Sequence, residues 1–152
     1  MLPKRLAKFG LEVAAEKTRI IQFDRISKSR FEFLGFEFYW GRGRQGRNVL
    51  KRRTSRKKYR AALANLKAWC KEHCRLPEAL LFAKLNRKLR GYWNYYGIRG
   101  NFDSVSDYFY HVKPILFKWL NRRSQKRSYT WPGFRALLKD FPLTKPRVCH
   151  DF

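Results

Sequence analysis

The chain has 152 residues, of which 36 are Lys or Arg and 11 are Asp or Glu, giving a formal net charge of +25. A 44% hydrophobic and 17% aromatic content excludes a disordered basic tail, because there is material for a core. No apolar run approaches the roughly 20 residues that cross a bilayer, and the opening MLPKRLAKFG holds no secretory apolar segment, so a cytoplasmic, bacterial-type location is expected.

Pro3 and Gly10 frame the tail of a helix over residues 3–10. TRIIQF, residues 18–23, reads as a strand, and residues 24–30 as a polar turn. FEFLGFEFYW, residues 31–40, reads as strands broken at Gly35. GRGRQG, residues 41–46, is a glycine-rich hairpin loop, with residues 47–52 as its return strand. The character changes near Thr54. Thr54 or Ser55 caps a helix running to about Cys74, with Tyr59, Leu63, Leu66 and Cys70 at helical spacing. Pro77 opens the next helix, 77–96, whose apolar face is Ala79, Leu80, Phe82, Ala83, Leu85 and Leu89; Gly97 and Gly100 end it. Residues 101–104 cap a third helix over 104–123, which Pro114 should kink or split. Thr130, Trp131 and Pro132 open a short fourth helix ending before Pro142, and the final PLTKPRVCHDF is an extended strap over the helices. The fold class is therefore α+β: a short antiparallel β segment over 1–53, then a mainly helical bundle over 54–152.

Little in the chain suggests chemistry of its own. Three cysteines (Cys70, Cys74 and Cys149) are an odd count, against a disulfide framework. Cys70, His73 and Cys74 share a helical turn, but no fourth ligand stands at zinc-like spacing. The acids are scattered, and Asp103 and Asp107 suit the first turn of a helix better than a metal site. No P-loop, nucleophile elbow or HExxH occurs, and no metal or cofactor is expected in this chain.

The charge, by contrast, is organised. No acid falls between Glu37 and Glu72, from Arg87 to Arg99, or from Lys113 to Lys139. Such stretches repel themselves unless an anion meets them, and they read as phosphate-facing surface. One block is KRRTSRKKYR, with Lys51, Arg52, Arg53, Arg56, Lys57, Lys58 and Arg60. A second, KLNRKLRGYWNYYG, sets Arg87, Lys88 and Arg90 among aromatic rings. Helical spacing puts Leu85, Leu89, Trp93 and Tyr96 on a buried face, and leaves Tyr92 and Tyr95 as surface candidates for stacking on unpaired bases. Asn86 and Asn94 offer paired donors and acceptors. The third block, KWLNRRSQKRSYTW, contributes Arg122, Arg123, Lys126 and Arg127. Basic patches mixed with aromatics fit RNA better than duplex DNA, because RNA loops and bulges expose bases.

Together these segments resemble the C-terminal part of a group II intron-encoded reverse transcriptase/maturase. LEVAAEKTRIIQF followed by FEFLGFEF is similar to the end of that family's polymerase palm. KRRTSRKKYRAALANLKAW, LNRKLRGYWNYYG, LFKWLNRRSQKRSYTW and KPRVCHDF resemble its maturase, or thumb, domain. The resemblance implies that residues 1–53 are a palm remnant. In it, Lys17 of EKT matches the palm lysine that assists near the leaving pyrophosphate, and Phe33, Leu34 and Gly35 match the primer-grip hairpin. It implies that the bundle from residue 54 binds group II intron RNA for splicing and grips an RNA–DNA duplex. The family's Tyr-x-Asp-Asp motif and earlier aspartate do not occur here, so the magnesium that the full-length enzyme needs finds no ligands in this chain. The expectation is an RNA-binding fragment, inactive as a polymerase alone. The alternatives are a subunit that completes an RNA-directed DNA polymerase with a separately encoded palm and fingers chain, or a non-functional intron remnant.

Overall fold

The structure, a computed structural model, describes residues 2–12, 14, 20–24, 29–124 and 128–150. A short helix, α1 (Leu2–Ala7), is followed by a three-stranded antiparallel sheet of order β1 (Arg30–Phe33), β2 (Phe36–Arg42) and β3 (Asn48–Thr54). Four helices follow: α2 (Arg56–His73), α3 (Glu78–Tyr96), α4 (Phe102–Leu120) and α5 (Trp131–Asp140). This is the α+β order that the composition of the two halves implies.

The break at Gly35 is a two-residue hairpin turn. Phe33 pairs with Phe36, and Leu34 and Gly35 both take positive φ, 49° and 81°, as the twist of a tight hairpin demands. A Cβ at Gly35 would also stand in tight contact, 3.2 Å from the Tyr96 hydroxyl. The second hairpin loop is narrower than GRGRQG. β2 continues to Arg42, and Gly43 N–H donates to Arg47 O at 2.8 Å, so the return strand starts at Asn48 and runs to Thr54.

One expected strand is absent. Residues 20–23 of TRIIQF pair with no strand, while Thr18 and Arg19 lie outside the described residues. Phe23 meets the sheet with its ring instead of its backbone, edge-on to Phe31 at 4.8 Å and stacked on Trp40 at 5.5 Å. Alternating apolar residues make a strand only where a sheet edge accepts their backbone.

Thr54 ends β3, and Ser55 caps α2 by accepting from Lys58 N–H, while its own N–H donates to Gly35 O at 2.9 Å. Sheet and bundle meet here. Phe36 is buried against Tyr95 and Tyr96, and the Asn101 side chain holds the end of β3. Asn101 stands at the N-cap position of α4 without capping it; its amide accepts from Thr54 N–H at 2.6 Å, exchanges a bond with the Thr54 hydroxyl and donates to Tyr96 O at 2.8 Å. α4 accordingly starts at Phe102, earlier than expected, and it runs unbroken through Pro114.

The bundle core takes Leu66 and Cys70 from α2, Leu81 to Trp93 at helical spacing from α3, and Val105 to Leu120 likewise from α4. Phe134, Leu137 and Leu143 close it. The α3 face is turned from the expected one: Leu81 is fully buried, whereas Ala79, Leu80 and Ala83 are exposed. Residues 142–150 form the strap. The Trp93 indole N–H donates to Thr144 O at 3.1 Å, Asn86 brackets the strap by bonding Pro142 O and Thr144 N–H, and Ile98 bridges His150. Gly97 lets the two backbones touch, since a Cβ would fall 2.4 Å from Arg147 O.

Candidate nucleic-acid interface

Strand alternation and the α2 cap decide which cations of the first block face outward. Arg56, Lys57, Lys58 and Arg60 stand exposed on the opening turns of α2. Lys51 lies along β3 with its stem over Gly41, and Arg52 donates to Arg99 O at 3.2 Å. Lys51, Arg52 and Arg99 line a groove of about 560 Å³ between the sheet and the α3–α4 turn, floored by Phe38, Tyr39 and Leu50. Arg99 joins this surface without having been singled out in the sequence, where a lone arginine between two turn glycines carries no patch signal. Arg53 belongs to the fold: it pairs with Glu37 at 2.5 Å and lies 5.2 Å from the Tyr39 ring centre.

A second groove beside the first holds Arg53, Arg56 and Arg60 with Tyr59 and Asp107. The Tyr59 hydroxyl donates to the Asp107 carboxylate. Burial, then that hydrogen bond, pushes the phenol well above its ordinary value, so it stays a neutral donor on the groove's acid.

On α3, Arg87, Lys88 and Arg90 are exposed as the helical spacing implies. The two tyrosines differ. Tyr95 is 52% exposed, with its hydroxyl donating to Leu34 O at 2.8 Å. Tyr92, expected at the surface, is half-buried, stacked on Tyr108 at 4.1 Å and against Tyr96 at 4.6 Å, with its hydroxyl enclosed. The packing of α4 over α3 claims this ring, which leaves no face for a base. Asn86 is likewise committed to the strap, and Asn94 accepts from the Cys149 thiol at 3.5 Å.

In the third block Arg122 is exposed, lying 5.6 Å from the Trp119 ring centre. Arg123 is turned inward to Glu78 at 2.9 Å and to the Tyr129 hydroxyl. Lys126 and Arg127 lie outside the described residues, as does Lys17. Phe33 and Leu34 project from the first hairpin, 60% and 66% exposed.

Among the described residues no three His, Cys, Asp or Glu side chains gather where they could hold a metal ion. Burial pushes the Cys70 thiol up to about 12, which makes it a core side chain and a poor ligand or nucleophile at neutral pH. Among the same residues no helix is long and apolar enough to cross a membrane.

The two structural ion pairs give a pH dependence. Hydrogen bonds from Tyr129 and Arg123 hold Glu78 below the usual carboxylate range, and Arg53, then Arg30, does the same for Glu37 against an opposing effect of burial. A carboxylate lowered on folding stabilises above its unfolded pKa, near 4.5, and that stability is lost as pH falls through the folded value. We expect the thermal midpoint to fall on acidification below about pH 4.5, and the Glu37→Gln/Glu78→Gln pair to flatten that limb while lowering the midpoint at pH 7. An acid limb of unchanged steepness in the pair would contradict this.

The architecture is thus a small sheet docked on a helical bundle that turns cations outward along α2, α3 and the end of α4, with no assembled metal-binding cluster among the described residues. The model of the group II intron maturase-specific domain matches residues 59–136, from the first turn of α2 into α5 and just over half of the chain, and the chain belongs to that family. Neither the curated proteins nor the solved structures gave a match.

Proposed function

We propose that the chain binds group II intron RNA through the outward cations of α2, α3 and the α4 end, and by doing so assists the intron's folding for splicing. The observation that carries this is the coincidence of family and surface: the helices matched by the maturase-specific domain bury a common core and carry Arg56, Lys57, Lys58, Arg60, Arg87, Lys88, Arg90 and Arg122 in and beside it, all exposed. In a longer maturase the same surface would hold an RNA–DNA duplex during RNA-directed DNA synthesis, with Phe33, Leu34 and Gly35 supporting the primer end.

The test is a filter-binding titration against a folded group II intron RNA, with an unrelated structured RNA as competitor, over a range of salt. Binding should survive the competitor and weaken with salt. The Arg56→Ala/Lys57→Ala/Arg60→Ala variant should lower the log–log salt slope by about 2 to 3, close to one per phosphate contact removed. Equal affinity for both RNAs would leave charge alone acting, as in a relic, and would sink the proposal.

One observation favours a second reading. Phe9, Leu11 and Ile20, which precede the sheet in the chain, are exposed apolar side chains, as are Phe33 and Leu34 of the first hairpin. A separately encoded palm and fingers chain would cover them, bring the carboxylates for magnesium and make this chain a polymerase subunit. Pull-down by a palm-bearing chain, with primer extension only by the mixture, is the result this reading needs.

A further inference from the structure

On the flank of α4 a cleft of about 410 Å³ is lined by Ser106, Phe109, Tyr110, Lys113, Pro114 and Trp131. Its size is in the range of clefts that hold small ligands. Five of these residues fall on one helical face, and Trp131 is delivered by the start of α5. Two large rings are left open to solvent, Tyr110 at 73% and Trp131 at 45% exposure. Trp131 is held by stacking on Phe117 at 4.0 Å, so its plane is fixed before anything binds. Lys113 lies 5.3 Å from the Phe109 ring centre and is exposed at the cleft. Pro114 lies on the same face and adds an apolar ring to the wall of the cleft.

We propose that this cleft takes one unpaired nucleobase of a bound nucleic acid strand. The base stacks against Tyr110 and Trp131, and Lys113 meets the adjoining phosphate. Charge selects this occupant. From Lys113 to Lys139 the sequence has no acid, and the nearest acid along α4, Asp107, is engaged by Tyr59. Lys113 is the charged side chain that lines the cleft, so a basic partner meets a like charge there, whereas a strand that pairs each ring with a phosphate is matched at both. The inference rests on the nucleic-acid reading of the chain and adds to it a site for a base, where the basic blocks supply sites for phosphates.

The test uses the full chain and two probes of equal backbone charge: a short oligoadenylate, and the same ribose–phosphate oligomer without bases. Fluorescence anisotropy should show the oligoadenylate bound roughly tenfold tighter. Tyr110→Ala should remove most of that ratio without changing affinity for the abasic oligomer, and Tyr110→Phe should keep it. Lys113→Ala should weaken both probes alike. Tyr110 is exposed, so its removal leaves the core intact, and an unchanged thermal midpoint verifies that. A ratio that Tyr110→Ala leaves unaltered, or a wild-type ratio near one, overturns the base site while the phosphate-binding surface stands; an apolar protein partner would then be the better occupant. Failure of both probes to bind would overturn the base site, while the intron-RNA reading stands or falls with its own titration.

Discussion

Trp93→Ala should destabilise the chain by about 3–5 kcal/mol, the range for emptying a large aromatic site in a core. Trp93 is fully buried near the middle of the bundle, edge-on to Tyr92, Tyr108 and Phe109. Its indole N–H also anchors the strap at Thr144. The substitution therefore opens a cavity and frees a segment that covers α3. Trp93→Phe separates the two effects: it keeps most of the ring volume and loses the hydrogen bond, and should cost roughly 1–3 kcal/mol. Urea unfolding of the three proteins decides the matter. Equal losses in both variants would mean that the bond to the strap, and not the volume, dominates.

Asn101→Ala should cost about 2–4 kcal/mol, nearly as much as a core truncation, although it removes only a small amide. That amide serves three backbone and side-chain groups at once: Thr54 N–H, the Thr54 hydroxyl and Tyr96 O. Thr54 and Asn101 are both buried, so water does not readily replace the lost partner. Asn101→Asp keeps the shape but loses the donors and buries a charge. Burial raises such a carboxyl's pKa, so this variant should recover part of its stability as pH falls, opposite to the acid limb set by Glu37 and Glu78. The same joint sets Lys51 and Arg52 against Arg99, so the variant should also loosen the groove they line. A loss below about 0.5 kcal/mol in urea unfolding, the size of an ordinary surface substitution, would show that the sheet docks without this network.

Much of the local structure was legible because single residues dictate it. Ser55 caps, Pro77 and Pro132 open, Gly35 turns and Gly97 ends α3, each for a steric or hydrogen-bonding reason that acts within a few residues. The phase of α3 was not legible in full. EALLFAKL has apolar residues on two adjacent faces, and only the neighbouring helices and the strap select Leu81 over Leu80. The same applies to Tyr92, which periodicity leaves at the edge of the core until Tyr108 stacks on it. Among the cations, pattern located the blocks and could not tell which members the fold keeps. Arg53 and Arg123 find carboxylates 16 and 45 residues away, a pairing that no local spacing announces.

The strap also orders events in time. Thr144 follows Trp93 by 51 residues, and Pro142 follows Asn86 by 56. At translation rates of roughly 5–20 residues per second, several seconds separate synthesis of α3 from synthesis of the segment that covers it. During that interval α4 can pack on the Trp93 ring, while the indole N–H and the Asn86 amide still await their strap partners. Completion of the fold around α3 is thereby tied to arrival of the strap, and loss of residues 142–150 would leave the Trp93 indole N–H and the Asn86 amide without these partners.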